Sequence, residues 1–183
     1  MPETTMEQRL EVAIAATRKA GRKTLDWFGD ADLTVTRKGD QSPVTAADLA
    51  AEEILKSELL AAFPDDSFLG EETGSHQGSS EFEWVVDPID GTKSFIHGVP
   101  LFATLVACRK NGEGIIGVIY IPALHEIAYA AVGKGTWHQQ DGHEPVPAHV
   151  SKQTTLSESL LCSSDFRDFR RRPAKLDKNA MGK

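Results

Sequence analysis

An α+β layered domain is what this sequence predicts, on three observations: two amphipathic helical segments in the first third, a succession of short strand-like runs behind them, and acidic motifs placed where two of those runs end. Across residues 6–28 the groups Leu10, Ala13, Ile14, Thr17, Ala20 and Leu25 recur at near-helical spacing, which is the period of an amphipathic helix. Thr4 or Thr5 would cap its start and Gly29 its end. Residues 33–37 alternate like a short strand, and residues 38–43 read as a polar loop. A second helix is expected over about residues 45–62, rich in Ala, Leu and Glu, with Pro64, Asp65 and Asp66 stopping it and Asp48 in its first turn. Strands are then expected at 67–69, 83–87, 102–109, 114–121 and 126–132. Residues 74–80 read as a polar loop, and 133–137 as a turn into a short edge strand.

The chain has 183 residues, 40% of them apolar, which suffices for one domain or one lobe with a buried core. Its formal charge of −7 argues against nucleic-acid binding, because phosphate-backbone affinity needs clustered Lys and Arg. An acidic protein that handles phosphate needs a cation instead. Cys108 and Cys162 have neither disulfide nor zinc-ligand spacing and read as reduced core thiols. The N-terminus lacks the basic start and apolar stretch of a secretory signal, and no apolar run is long enough to span a bilayer, so a cytoplasmic protein without membrane contact is expected. From Asp165 onward seven Lys or Arg stand against three Asp with few apolar residues, so the domain reading is a lobe over residues 1–164 and a basic tail over 165–183.

The chemistry concentrates in two motifs. Gly70-Glu71-Glu72-Thr73-Gly74 follows one strand, and Trp84-Val85-Val86-Asp87-Pro88-Ile89-Asp90-Gly91-Thr92-Lys93-Ser94 ends another. Small, hard Mg²⁺ prefers oxygen ligands, and Glu71, Asp87 and Asp90 with a main-chain carbonyl such as that of Ile89 make a fitting set. Without a cation the converging carboxylates would raise one another's pKa. Pro88 restricts the chain, Gly91 allows a tight approach, and Thr92 could open a short helix through Ile96 whose free amides face a phosphate. The Thr92 hydroxyl could orient an attacking water, with Asp48 accepting from it. Two aspartates three apart in mid-chain disfavour a phospho-aspartate mechanism. His97, His125 and His138 share no metal-ligand spacing and receive no role, while Trp84, Phe95 and Phe102 read as core.

Glu71-Glu72 followed by Asp87-Pro88-Ile89-Asp90-Gly91-Thr92 resembles the signature of the inositol monophosphatase superfamily; the segment from Ser42 to Asp48 and the helix through Glu52 resemble what precedes that signature, and the segment from Lys93 to Pro100 continues it. The resemblance runs from about residue 8 to residue 162. It implies a layered α/β sandwich of the inositol monophosphatase type and a phosphate monoester hydrolase using two or three Mg²⁺ ions. Position by position, it implies that Glu71, Asp87, the Ile89 carbonyl and Asp90 bind metal and that Asp48 and Thr92 activate water. The Gly91 and Thr92 amides would hold phosphate, and Glu72 would support the site or a weaker metal. Lys38 matches a position in the family's mobile loop. Thr92-Lys93-Ser94-Phe95 with Val99-Pro100-Leu101-Phe102 is most similar to the histidinol-phosphate phosphatase branch, which places histidinol phosphate first as substrate and inositol monophosphate second.

The family normally continues into a second lobe whose Trp-Asp motif supplies another metal ligand. None of Trp27, Trp84 and Trp137 stands in that setting, so the expectation is an N-terminal lobe lacking the C-terminal one. The rival expectation from another class is a non-catalytic lobe that binds divalent metal, or a partner protein, without turning over phosphate. The partner of the hydrolase is a small phosphorylated metabolite, and a homodimer is the assembly the family commonly forms.

Overall fold

The computed structural model describes residues 5–30, 34–37 and 43–160, the side chains of Arg37 and Pro43 excepted. Lys38, Cys162 and the basic stretch from Asp165 lie outside the described residues. The chain divides into two compact units, Met1–Val150 and Ser151–Lys183. In the second, the described residues are exposed and form one 3₁₀ turn, Leu156–Glu158.

Helix α1 covers Met6–Thr24, and Thr5 caps it through a capping box, its hydroxyl accepting from Gln8 N while Gln8 accepts from Thr5 N. The helix stops at Thr24 rather than running to Phe28; residues 25–29 are turns. Its buried face is Arg9, Ala13, Ala16, Thr17, Ala20, Gly21 and Thr24, whereas Leu10 and Ile14 are only partly buried. Small residues let the helix axis lie close to the sheet, to the point that a Cβ at Gly21 would strike the Tyr120 ring.

Strands β1 (Val35–Arg37) and β2 (Pro43–Thr45) pair antiparallel, so the expected polar loop ends earlier than Pro43. Helix α2 (Ala46–Ala62) follows directly, with Thr45 and Asp48 forming its own capping box. Next come β3 (Ser67–Gly70), β4 (Gly74–His76), β5 (Phe82–Asp90), helix α3 (Thr92–Ile96), β6 (Ala103–Lys110) and β7 (Glu113–Ile121). A 3₁₀ turn, Pro122–Leu124, leads to β8 (Glu126–Ala131), β9 (Gly135–Gln140) and β10 (Val146–Pro147). Part of the expected loop at 74–80 is thus strand: β4 folds back on β3, with Leu69 opposite Ser75. The expected strand at 83–87 extends to Asp90 through an irregularity that opposes Asp87 to Leu105 and Asp90 to Ala103.

Eight strands form one mixed sheet in the order β10-β9-β8-β7-β6-β5-β3-β4. Every described pairing is antiparallel except β3 with β5. Side-chain alternation sends Phe68, Trp84, Cys108 and Ile116 to one face, and Val86, Val106, Val118 and Tyr120 to the same face, where α1 and α2 cover them in the main core. The opposite face carries Leu69, Val85, Leu105, Ala107 and Ile119, half-buried to exposed.

Two charged groups enter this core in company. The Arg9 guanidinium lies 4.3 Å from the Phe63 ring centroid and 3.7 Å from that of Phe82, and pairs with Asp66. Asp66 also accepts from Trp84 Nε1 at 2.9 Å and Ser80 Oγ at 2.7 Å. At the other end of α1, Asp141 pairs with Arg18 and, at 2.9 Å, with Arg22, and accepts from Tyr120 at 3.3 Å. Burial alone would raise the Asp141 carboxyl, but the hydrogen bond from Arg22 and the charges of Arg18 and Arg22 outweigh it and hold it below its ordinary value.

Asp66→Ala leaves Arg9 charged and unpaired in the core and should cost about 3–5 kcal/mol in urea unfolding, the range for breaking a buried pair. The depressed Asp141 carboxyl stabilises the fold above the unfolded-state value of about 4 and loses that contribution as pH falls through its lower folded value. Asp141→Asn should therefore be less stable than the parent at neutral pH, with the gap closing in acid, as read by unfolding curves at about pH 7 and pH 3.

Candidate active site

The parallel pairing of β3 and β5 builds the site. Because the two strands run the same way, with Gly70 opposite Val86, their carboxyl ends leave the sheet side by side. Glu71, the first residue after β3, and Asp87, the next in β5 after Val86, are thereby neighbours although sixteen positions apart in sequence. The irregularity in β5 then turns Pro88 and Ile89 inward, both buried, and returns Asp90 to the exposed surface. Thr104, fully buried on β6, fixes the bend by donating to the Pro88 carbonyl at 2.9 Å.

The electrostatics of this corner are those of acids crowded together. Burial and then the charge of Glu71, a hydrogen bond with Glu71 and the charge of Asp90 push the Asp87 carboxyl up to about 8, against a smaller lowering by the Ile89 N–H. Asp87 Oδ1 is buried without a hydrogen-bond partner, one of two such side-chain atoms among the described residues. Among those residues no three His, Cys, Asp or Glu side chains stand ready as a metal cluster. Glu71 and Asp87 meet, and Asp90 acts on Asp87 through its charge. A set completed by a main-chain carbonyl and water still suits a small hard cation, which would supply the partner Asp87 Oδ1 lacks and reverse the cost of gathering the acids.

Gly91 follows at φ 85°, left-handed, and a Cβ there would come within 3.3 Å of the Leu101 carbonyl, so glycine is needed for the chain to turn into α3. The first helical hydrogen bond of α3 runs from Phe95 N to Gly91 O. The Thr92 hydroxyl donates its one proton to the Ile89 carbonyl at 3.1 Å and not to Asp48 as the sequence suggested, leaving that carbonyl oxygen a second lone pair. Ile89, Phe95 and Phe102 pack with Ala47 in a second small core, which seats the first turn of α2 against α3. Asp48, the residue after Ala47, is buried, and its Oδ2 accepts from Thr45 N and Thr45 Oγ1, each at 2.7 Å. Of the histidines, His97 Nδ1 lies 2.7 Å from Lys93 O, and His125 and His138 sit near Asp141 and Glu126.

The chain matches the family model described as the inositol monophosphatase family over residues 5–181. It belongs to the inositol monophosphatase family. It is 45% identical over 132 residues to a histidinol-phosphatase of Chlorobaculum parvum, covering 72% of this chain and 51% of that protein. With an inositol-1-monophosphatase of Mesorhizobium japonicum the identity is 42% over 130 residues, 70% of this chain and 49% of the relative. The crystal structure of the extragenic suppressor protein suhB from Bartonella henselae superposes with a TM-score of 0.71 at 36% identity, covering 78% of this chain and 54% of that one. The layered α+β sandwich expected from the sequence is therefore the inositol monophosphatase fold, and metal dependence comes with the family. The chain spans about half the length of the curated relatives it matches, 51% and 49% in the two named.

One residue of this corner, Glu52, lies in the helix that the resemblance covers but received no role from the motifs. Glu52 is fully buried on α2, and its carboxylate accepts from Glu72 N at 2.8 Å, Thr73 N at 2.7 Å and Thr73 Oγ1 at 2.6 Å. The signal was present: Glu52 sits in the stripe Asp48, Ala51, Glu52, Leu55, Leu59 that a helix presents to its core, where an acid without a purpose would be costly.

Asp87→Asn removes one charge from the crowd. The parent's raised carboxyl costs it stability as pH climbs from the unfolded-state value of about 4 to the folded value of about 8, so metal-free Asp87→Asn protein should melt higher than the parent by pH 8. The same variant should lose the thermal shift that saturating divalent cation gives the parent, about 2.7 kcal/mol at a hundredfold excess over Kd.

Proposed function

We propose that this chain is a Mg²⁺-dependent phosphate monoester hydrolase acting on histidinol phosphate, with the metal held by Glu71, Asp87, the Ile89 carbonyl and Asp90. The observation that carries the reading is the buried, unpartnered Asp87 Oδ1 beside Glu71 at the ends of the one described parallel strand pair. Two or three Mg²⁺ ions bound there would lower the pKa of water and neutralise charge on the phosphate oxygens.

The remaining steps belong to the chain's own groups. The Gly91 and Thr92 amides, at the start of α3, hold the phosphate oxygens. The Thr92 hydroxyl orients the attacking water, and Asp48 receives its proton. The shared packing of Ala47 with Ile89 and Phe95 supports a place for Asp48 near this end of α3, although Thr92 Oγ1 itself donates to the Ile89 carbonyl. Glu72 supports the site from the turn after β3 or assists a weaker metal.

Histidinol phosphate ranks first because a relative at 45% identity carries the histidinol-phosphatase name and because Thr92-Lys93-Ser94-Phe95 matches that branch. Inositol 1-phosphate ranks second, supported by the relative at 42% identity. The competing reading is a lobe that binds metal without turning over phosphate.

Phosphate release from both substrates, with and without Mg²⁺, separates these readings. The hydrolase should release phosphate only with Mg²⁺, faster from histidinol phosphate, and Asp48→Asn should slow it by about 10²- to 10⁴-fold. Asp90→Asn should abolish the Mg²⁺-dependent release. Folded protein that binds Mg²⁺ and releases nothing would replace the hydrolase with the metal-binding lobe.

A further inference from the structure

We infer that Glu52 is a positioning residue for the metal site, holding the turn between β3 and β4 so that Glu71 is presented to Asp87. This rests on the metal-site reading above and deepens it. Three observations carry it. The Glu52 carboxylate is 0% exposed, and its three described partners all belong to one turn: the amides of Glu72 and Thr73 and the Thr73 hydroxyl. Those are the residues immediately after Glu71, so the hydrogen bonds set the backbone from which the Glu71 side chain departs.

The second observation is the space made for this contact. A Cβ at Gly70 would overlap the Glu52 carboxylate, so the residue just before Glu71 is glycine where the helix acid reaches the strand end. The third is position. Glu52 lies four residues after Asp48 on the same buried face of α2, and Leu55 and Leu59 further along that face fill the core with hydrocarbon. Packing alone would be met by another leucine. A buried carboxylate is retained at the one point of the helix that faces the acidic turn, where paired amides reward it with charge-assisted hydrogen bonds.

The mechanism of the effect is geometric. Glu71 stands on a three-residue turn between short strands, and Asp87 is fixed in β5 by Thr104 and the β5–β6 pairing. A cation joining the two requires both carboxylates within coordination distance, and only the Glu71 side of that pair depends on a turn. Glu52 removes that freedom from outside the ligand set, as groups hydrogen-bonded behind metal ligands commonly do.

Mn²⁺ binding by the full chain, followed through the electron paramagnetic resonance signal of free Mn²⁺, tests this without reference to turnover. Glu52→Gln keeps the volume but faces one of the two amides with an NH₂ donor. It should retain the far-ultraviolet circular dichroism of the parent and bind Mn²⁺ about 10- to 100-fold more weakly, the usual cost of losing a group behind the ligands. A folded Glu52→Gln protein with parental Mn²⁺ affinity, even with a lowered melting temperature, would assign Glu52 to packing alone and overturn the inference. Should Glu52→Gln fail to fold, Thr73→Val, which removes only the hydroxyl donor on an exposed residue, decides: weaker Mn²⁺ binding supports the positioning role and unchanged binding overturns it. A parent that binds Mn²⁺ no better than Asp87→Asn would sink the metal-site reading itself, and this one with it.

Discussion

Acids brought together at the end of a parallel strand pair repel one another, and much of this domain is arranged so that they stay together anyway. Burial first, and then the neighbouring Glu71 and the charge of Asp90, push the Asp87 carboxyl up to about 8. A chain free to relax would separate such groups. Here Asp87 is held by pairing with Leu105 on β6, the bend after it by Thr104, and the turn carrying Glu71 by Glu52. Two of these restraints come from β6 and the third from α2, and together they hold the geometry against the repulsion.

The rest of the fold serves these restraints in turn. Helix α2 contributes Asp48, Glu52 and Ala47 from one face, and it can do so only because the same face continues into Leu55 and Leu59, which anchor it on the sheet. Helix α1 packs beside it on small residues, and the Arg9–Asp66–Trp84 contacts tie the start of α1 to the segment entering β3. Stability and function are therefore not separable along α2: the residues that keep it on the sheet also deliver the acids to the corner. On the far side of the sheet Leu69, Val85, Leu105, Ala107 and Ile119 are half-buried to exposed.

The comparison of expectation with structure is most informative at single residues. Thr5, Thr45 and Asp48 took the cap positions their chemistry favours, because capping is decided within one turn of helix. The periodicity placed α1 correctly but put Leu10 in the buried stripe, where Arg9 is found, since a cation is buried only when a distant acid meets it. The strand β4 was read as loop because Gly74, Ser75 and His76 have no strand propensity of their own; pairing with β3 makes them one.

The sequence by itself determined the helices, most strands, the acidic motifs and the family, since these depend on local spacing, on turn and cap chemistry, and on motifs short enough to be read directly. Only the tertiary structure decided that β3 and β5 run parallel, that Glu71 therefore meets Asp87, and that Glu52 stands behind them. Those facts join residues sixteen and twenty positions apart through strand pairing and helix packing. No local preference encodes such contacts, because their free energy comes from burying a shared core and exists only once the whole domain has closed.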